Sequence, residues 1–405
     1  MIYRVFIGYY DTDGIPDAPT VLMDTSLNTP EATLIDPVLT IELSEAGSFE
    51  FTILPGHPQY DNIEILASTI WVCADYVPLW IGRPIEMEED FYRRRKYYCE
   101  GALAYLNDSI QPQKHYSSVT VLNFLNDSNY GLLTTHSHQT RFSVFLEGST
   151  CSYKNTVITR YTNRETTLEA VRDKLLDRLG GYMMVVPAPT MHQRDGEWTD
   201  DPNDPLTWDN YTRPFVLYLR YLSLADLPTS GQSIEFGSNL LDYVRRENAS
   251  EVFTDILPLG QQLEDEFLPG IPEYLTIATT QSPSEIMYSQ DLRDFYEEKI
   301  VKVVSFDDID NRADLVTAAQ DYLAQAAASE TISLEVTALD LSNADANIEM
   351  IAVGSLVHVV SAPHNLDTNL VCTKRVIPLL QPENETITLG ASLAPSITKQ
   401  MAKGQ

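Results

Sequence analysis

Cysteine is scarce and scattered. Cys73, Cys99, Cys151 and Cys372 are the only four in 405 residues, and no two form a CxxC pair. That excludes a disulfide-dense scaffold and a zinc ribbon. No apolar run approaches the roughly 18 residues that a membrane-spanning helix needs, so an integral membrane segment is excluded. The first residues, MIYRVFIGYYDTDG, contain early acids and no continuous apolar core, so no cleaved export signal is expected and the cysteines are expected as free thiols of a reducing cytoplasm. Basic residues are few: 27 Lys and Arg stand against 58 Asp and Glu, a formal charge of −31. Phosphate backbones repel such a surface, which argues against stable nucleic-acid binding; a solvated, soluble surface accounts for the charge equally well. No GxSxG elbow, P-loop, HExxH or GxGxxG is present, so no nucleophile, cofactor or metal site is expected.

What is present reads mostly as β. Leu39, Ile41 and Leu43 alternate, as do Phe49, Phe51 and Ile53, the period of half-buried strands. Pro55-Gly56-His57-Pro58 breaks the second run. Further strands are expected at 70–74, 79–81, 84–88 and 97–104, with Arg93-Arg94-Arg95-Lys96 as a hairpin tip. Many short strands with turns between them suggest a small barrel or sandwich.

The middle is mixed. Ser118 to Leu125 is a candidate helix start. A clearer helix runs from Thr167 to Leu179, where Thr166 and Glu169 form a capping box and Gly180-Gly181 ends it. Residues 190–213 are rich in Asp, Asn, Pro and Trp and read as a long exposed loop. Strands follow at 215–222 and 234–236, and a second helix at 312–327 capped by Asn311. The last third returns to β at 332–336, 355–360, 370–375 and 386–389, and 396–405 reads as a fraying tail.

The two β regions repeat each other. Asn62-Ile63-Glu64-Ile65 precedes a strand at Thr69, and Asn347-Ile348-Glu349-Met350 precedes one at Ser355; each region ends on a strand carrying Gly-Ala, at Gly101-Ala102 and Gly390-Ala391. An internal repeat fixes architecture. The competing reading is two unrelated β domains with similar short patterns.

Candidate chemistry is thin. Asp11-Thr12-Asp13-Gly14 starts like a calcium loop, but Pro16 and Leu22 occupy the sixth and twelfth positions where Gly and Glu are needed. His136 and His138 could present two imidazoles on one side of a strand, but a zinc site needs further ligands. Glu88-Glu89-Asp90 and Asp307-Asp308 with Asp310 are acid clusters that a chain this acidic produces by chance. Trp71 and Trp80 fall in strands and read as core. Trp198 and Trp208 in the 190–213 loop read as partner contacts, since aromatic residues are enriched at protein interfaces, or as folded-back anchors; Arg93, Arg94 and Arg95 at the basic tip read as a solvated turn or as a contact that docks an acidic neighbour.

At this point a family resemblance enters. Phe49 to Pro58 (FEFTILPGHP) followed by Tyr60-Asp61-Asn62-Ile63 resembles the N-terminal structural region of phage tail-tip hub proteins, a family that includes siphophage tail-associated lysins and contractile-tail baseplate hubs. Ile81-Gly82-Arg83, Glu88 to Phe91, Cys99 to Ile110, the helix into Gly180-Gly181-Tyr182, Ile234 to Leu241, Pro258-Leu259-Gly260, and the stretch from Val303 through Leu339 to Ser342, Gly354 to Val357 and Thr388 to Gly390 continue the resemblance in order. It implies a mainly β chain with α+β parts: two related small antiparallel β-barrels with peripheral α+β domains. The segments expected are 1–106 as a first barrel, with 215–240 a candidate completion, 107–214 and 241–330 as peripheral segments, 331–395 as a second barrel and 396–405 as a tail.

The resemblance further implies a structural virion protein, a homotrimer that closes the distal end of the tail tube and gates DNA ejection. Its implied partners are a hexameric distal tail protein, the C-terminus of the tape measure protein, and receptor-binding or spike proteins. Its implied place is the virion tail tip, assembled in the host bacterial cytoplasm. Many relatives carry hydrolase or receptor-binding extensions, and the resemblance brings neither activity to these residues. The alternatives are a tail-associated cell-wall hydrolase using an acid pair, and a receptor- or glycan-binding tip using Trp198 and Trp208.

Overall fold

In the computed structural model of the chain, the described residues are 1–9, 20–27, 29, 33–75, 77–140, 142–189, 192–194, 197–199, 215–247, 252–263, 273–307, 309–328, 332–343 and 347–390. The Asp11–Gly14 turn, Asp308, Trp208 and the 396–405 tail lie outside them.

Seven strands open the fold: β1 (Tyr3–Tyr9), β2 (Thr20–Asp24), β3 (Ile35–Glu42), β4 (Ser48–Ile53), β5 (Ser68–Ala74), β6 (Val77–Glu89) and β7 (Arg95–Gly101). The alternation seen in the sequence sets their faces. Phe49, Phe51 and Ile53 of β4 point inward, and Phe51 stacks on Tyr97 with centroids 5.4 Å apart. Strand β5 is buried along its whole length because both its faces are covered. Ile70 and Val72 join the inner core, and Trp71 and Cys73 join an outer layer. Gly82 and Gly101 pair across β6 and β7 beneath Trp80. A Cβ on Gly101 would stand 1.9 Å from the Ala46 carbonyl oxygen, and one on Gly82 would stand 2.2 Å from the Trp80 ring, so neither position has room for a side chain.

The outer layer follows: β8 (Lys114–Thr120), α1 (Val121–Asn126), α2 (Leu132–Gln139), β9 (Val144–Cys151), β10 (Val157–Thr162) and α3 (Thr167–Val171). A π turn (Arg172–Leu176) continues α3 into α4 (Asp177–Leu179), and then come β11 (Tyr182–Pro189), β12 (His192–Arg194), β13 (Glu197–Thr199) and β14 (Phe215–Leu222). The capping box forms as expected, with the Thr166 hydroxyl accepting from the Glu169 N–H and the Glu169 carboxylate accepting from the Thr166 N–H. The helix anticipated from Ser118 starts at Val121, because β8 holds residues up to Thr120, whose hydroxyl then caps α1. The region 190–213, expected as one loop, contains the paired strands β12 and β13.

The remainder comprises β15 (Thr229–Glu235), β16 (Leu240–Glu247), β17 (Asp255–Leu259), β18 (Met287–Tyr288), α5 (Gln290–Tyr296), β19 (Val301–Ser305), α6 (Arg312–Ala328), β20 (Ile332–Ala338), β21 (Leu356–Ser361), β22 (Leu366–Pro378) and β23 (Thr386–Gly390). Asn311 accepts from the Asp314 N–H at the start of α6, as its cap role requires. Helix α6 packs on the parallel pair β17–β19 through Ala319, Leu323 and Ile256.

Thirteen strands join in one sheet, in the order β16-β20-β23-β22-β3-β4-β7-β6-β5-β1-β2, with β21 on β22 and β15 on β21. Two units within it share one topology. The first runs β3-β4-β7-β6-β5 and the second β16-β20-β23-β22-β21, with every neighbour antiparallel in both. Each curls around its own core, one built on Phe49, Phe51, Ile70 and Tyr97, the other on Val336, Val357, Cys372 and Leu389. They fuse where β22 pairs β3.

Two expectations are corrected. The strands at 215–240 do not complete the first unit: β14 pairs β11 and β9 in the outer layer, and β15 pairs β21 of the second unit. The second unit also begins at β16 rather than near residue 331, because residues 248–331 are inserted between its first two strands where the first unit has only the turn at 43–47.

Candidate functional site

Two features of the sheet stand out, an exposed tip and a buried charge cluster at the seam. The tip is the end of the β6–β7 hairpin. Pairing runs to Glu89↔Arg95, and Asp90 then closes the turn. Its carboxylate accepts from the Tyr92 and Arg94 N–H groups, each at 2.9 Å, while its own N–H donates to the Arg94 carbonyl at 3.0 Å. These bonds, first of all that from the Arg94 N–H, hold the Asp90 carboxyl below the usual carboxylate range.

The basic tip expected from the sequence is there, but its charges are largely occupied. Arg94 bridges Asp90 at 2.6 Å. Arg95 bridges Glu89 at 2.7 Å and Asp61 at 3.2 Å and lies over the Tyr60 ring. Lys96 bridges Glu50 at 3.0 Å. The Glu89–Asp90 acid pair is thus committed to the arginines beside it. What projects furthest is aromatic: Phe91 is 93% exposed and Tyr92 72%, their rings edge to face. Sequence reasoning singled out the cations and passed over these two neighbours. Trp198 sits in β13, and Trp208 lies outside the described residues.

The seam cluster was not anticipated. Arg375 on β22 is 2% exposed. Its guanidinium donates to Glu385 at 2.5 Å and stands 3.6 Å from Asp340. Asp340 in turn accepts from Gln232 of β15 and from the Ser342 and Ile351 N–H groups. Glu385 also accepts from Asn343 at 2.9 Å. Burial pushes the Glu385 carboxyl up, and the same burial, with Glu385 nearby, pushes up the hydroxyl of Tyr3 on β1. The cluster therefore ties β15, β22 and the turn before β23 together beside the first unit.

The other sequence candidates separate. His136 and His138 are on α2, not on a strand, so two residues apart they point in different directions. His136 is fully buried, with Nδ1 2.7 Å from the Ser109 hydroxyl and Nε2 3.4 Å from that of Thr140, while His138 is exposed. Among the described residues no group of three or more His, Cys, Asp or Glu could hold a metal ion. Ser109, Thr167 and Gln111 extend the His136 contact into a buried polar chain. A second Ser–His contact joins Ser361 to His364 Nδ1 at 2.6 Å, and His358 pairs with Asp367 at 2.8 Å. On His136 the nitrogen opposite the Ser109 contact faces the Thr140 hydroxyl rather than a carboxylate.

All four cysteines are buried free thiols; burial pushes those of Cys73 and Cys99 up, and that of Cys372 up to about 12. A groove of about 430 Å³ lies between Leu66, Phe142 and Arg83, but the Arg83 guanidinium is spent on Asp108 and Glu100.

The buried histidine gives a pH prediction. Burial pulls His136 down to about 4 from its ordinary 6.5. The unfolded chain therefore takes up a proton near pH 6.5 that the folded chain refuses until about pH 4. The stability this neutral ring contributes is complete above pH 6.5 and is lost as pH falls toward 4, about 3 kcal/mol in all. Denaturant unfolding at pH 7 and pH 4 should show His136→Gln losing less stability than the unmodified chain by about that amount. An identical loss in both would contradict the assignment.

The sheet has known counterparts. The tail protein of Neisseria meningitidis MC58 superposes with a TM-score of 0.55 at 13% identity, covering 96% of this chain and 97% of that one. The 43 kDa tail protein of prophage MuSo2 from Shewanella oneidensis gives 0.55 at 9% identity, with the same coverages. Prophage tail protein gp18 of Listeria monocytogenes EGD-e gives 0.51 at 12%, covering 98% and 97%. This is the phage tail-protein fold. Residues 228–401, which hold the second unit with its insertion, also match the family described as "Prophage endopeptidase tail". No curated protein matches the chain. The resemblance read from the sequence thus holds for the fold along the chain and for the C-terminal part by sequence as well.

Proposed function

We propose that the chain is a structural component of a phage tail, three copies of which form a ring closing the distal end of the tail tube. The observation that carries this reading is the shared strand order of the two fused units. A tube of sixfold rings must meet a tip of lower symmetry, and three copies with two like units each offer six like faces to a hexameric distal tail protein. The tail-protein fold and the family match of residues 228–401 support the setting. With a net charge of −31 the ring has ample acid to line a channel through which DNA slides without sticking. On this reading the chain resides in the virion tail tip, is assembled in the host cytoplasm, meets the tape measure C-terminus from above and receptor-binding or spike proteins from outside, and opens to let DNA out. The Arg93–Arg95 tip and Trp198 and Trp208 are its contact points with neighbours.

The family description favours one second reading, a cell-wall endopeptidase. Within the matched span Ser361 meets His364 through Nδ1, not Nε2, is 1% exposed, and is separate from the His358–Asp367 pair. A nucleophile needs an accessible oxygen and a base oriented by a third group, so the structural reading is preferred. A cryo-electron microscopy map of the assembled tail tests it. Three copies at the distal end, with the two units alternating around the axis, are expected; a different location or copy number would overturn the reading. Clearing of peptidoglycan by the purified chain would favour the second.

A further inference from the structure

The seam between the two units shows how one unit is joined to another. Strands β6 and β22 are counterparts, each 13 residues long. Gly82 pairs with Ile70 of β5 on one side and Gly101 of β7 on the other; Val371 pairs with Leu356 of β21 and Gly390 of β23. Just beyond these residues each strand shifts register, between Pro84 and Glu86 in β6 and between Cys372 and Lys374 in β22. Such a bulge bends a strand. Past it, β3 takes over the edge of β22 that β21 has left, from Lys374↔Glu42 to Pro378↔Val38. Ile377 is thereby buried in the core of the first unit.

On β6 the same edge has no successor. Strand β5 ends its pairing at Gly82, the Leu66 N–H takes the Pro84 carbonyl, and among the described residues no strand pairs with that side of 85–89. All five residues are exposed, the alternating Ile85 and Met87 included, although β7 pairs the other side of 86–89. The counterpart of β3 is β16, the first strand of the second unit. Strand β3 lies between β22 and β4, whereas β16 pairs with β20 alone among the described strands and ends the sheet, with Leu241 54% exposed. The chain thus contains one completed joint between units and, at its two ends, the separate halves of another.

We propose that the 85–89 edge of β6 in one copy pairs antiparallel with the outer edge of β16 in the next, repeating between chains the β22–β3 joint found within each. The partner is a second copy because the matching half of the joint is on this chain: β6 offers what β22 offers, and β16 offers what β3 offers. Charge does not choose the partner, since Glu86, Glu88, Glu89 and Asp90 balance Arg93 to Lys96 on the same hairpin. The two halves are different strands, so the contact is heterologous, and such contacts close into rings when the rotation permits. Three copies then hold six like joints, and both exposed edges are covered. The proposal rests on the ring reading and names the strands that close the ring.

The test is the mass in solution of the unmodified full chain, together with oxidative cross-linking of full chains that carry Met87→Cys and one of Leu241→Cys, Asp242→Cys, Tyr243→Cys or Val244→Cys. The single variants are the controls, circular dichroism checks folding, and the four native cysteines are buried and do not compete. The unmodified chain should be a trimer. Across paired strands only side chains on the same face meet, so links between copies should form at alternate positions, 241 and 243 or 242 and 244, about tenfold more than at the other two, and should give covalent trimers on a denaturing gel. A trimer without such links, or with equal links at all four positions, overturns the joint and leaves the ring standing. Linking in Met87→Cys alone would set hairpin against hairpin and also overturns the joint. An unmodified chain that is monomeric at every concentration overturns the ring reading and the joint with it.

Discussion

Replacing Arg375 by leucine should destabilise the chain by about 3–5 kcal/mol, the usual cost of leaving buried charge without its partner. Arg375 is the cation between Glu385 and Asp340, and all three are almost fully buried. With it gone, Glu385 keeps Asn343 and Asp340 keeps Gln232 and two N–H groups, but two carboxylates then share a dry site. Burial already pushes the Glu385 carboxyl up, and without the Arg375 guanidinium it should take up a proton more readily still, so the loss should shrink as pH is lowered. Removing Glu385 together with Arg375, as a Leu/Leu pair, should recover a large part of it, because an apolar pair of similar volume can replace a buried ion pair at little cost. Denaturant unfolding of the three proteins at pH 7 and pH 5 measures all of this. A single-variant loss below about 1 kcal/mol would show that the seam does not depend on the cluster.

Trp71→Ala should cost a similar amount, about 3–5 kcal/mol, as large-to-small changes of buried aromatics do. Trp71 is fully buried on the outer face of β5, in the same cluster as Tyr105 and Leu132 of the outer layer. Its loss opens a cavity between that layer and the first unit. Trp71→Phe, which refills part of the space, should cost clearly less. Limited proteolysis should then find the segment 107–222 more susceptible in Trp71→Ala than in the unmodified chain. Equal protease resistance, with stability unchanged, would mean that the outer layer is held by other contacts.

Local pattern revealed much of this fold, and what it missed has physical causes. Alternation at Phe49, Phe51 and Ile53 located β4 because one face of that strand is apolar and the other is not. The capping residues Thr166 and Asn311 located helices because their side chains do what the local backbone requires. Helix α2 went unread because its buried side, Leu132, Leu133 and His136, includes a histidine that looks like a surface residue until Ser109 is brought to it. The repeat was legible from Asn62 and Asn347 onward, yet its first strand β16 was assigned elsewhere, since the insertion parts it from β20. The fusion of β22 with β3 joins residues more than 300 positions apart, and no local pattern records such a pairing. Arg375 shows a related limit: a charged residue at an alternating position reads as outward, and only Glu385 on the following turn and Asp340, back beyond β21, make the inward position tenable. At the tip the cations were legible as a run, whereas the exposure of Phe91 and Tyr92 follows from how far the β6–β7 ladder extends.

The central claim is that the two fused units act as like parts, so that three copies make six. Top views of the purified assembly by electron microscopy test it most directly through their rotational symmetry. The account predicts a closed ring whose averaged image carries a strong sixfold component at low resolution that resolves into threefold symmetry as detail increases. A ring of three copies with no sixfold component, or with the second unit lying away from the axis, would contradict it.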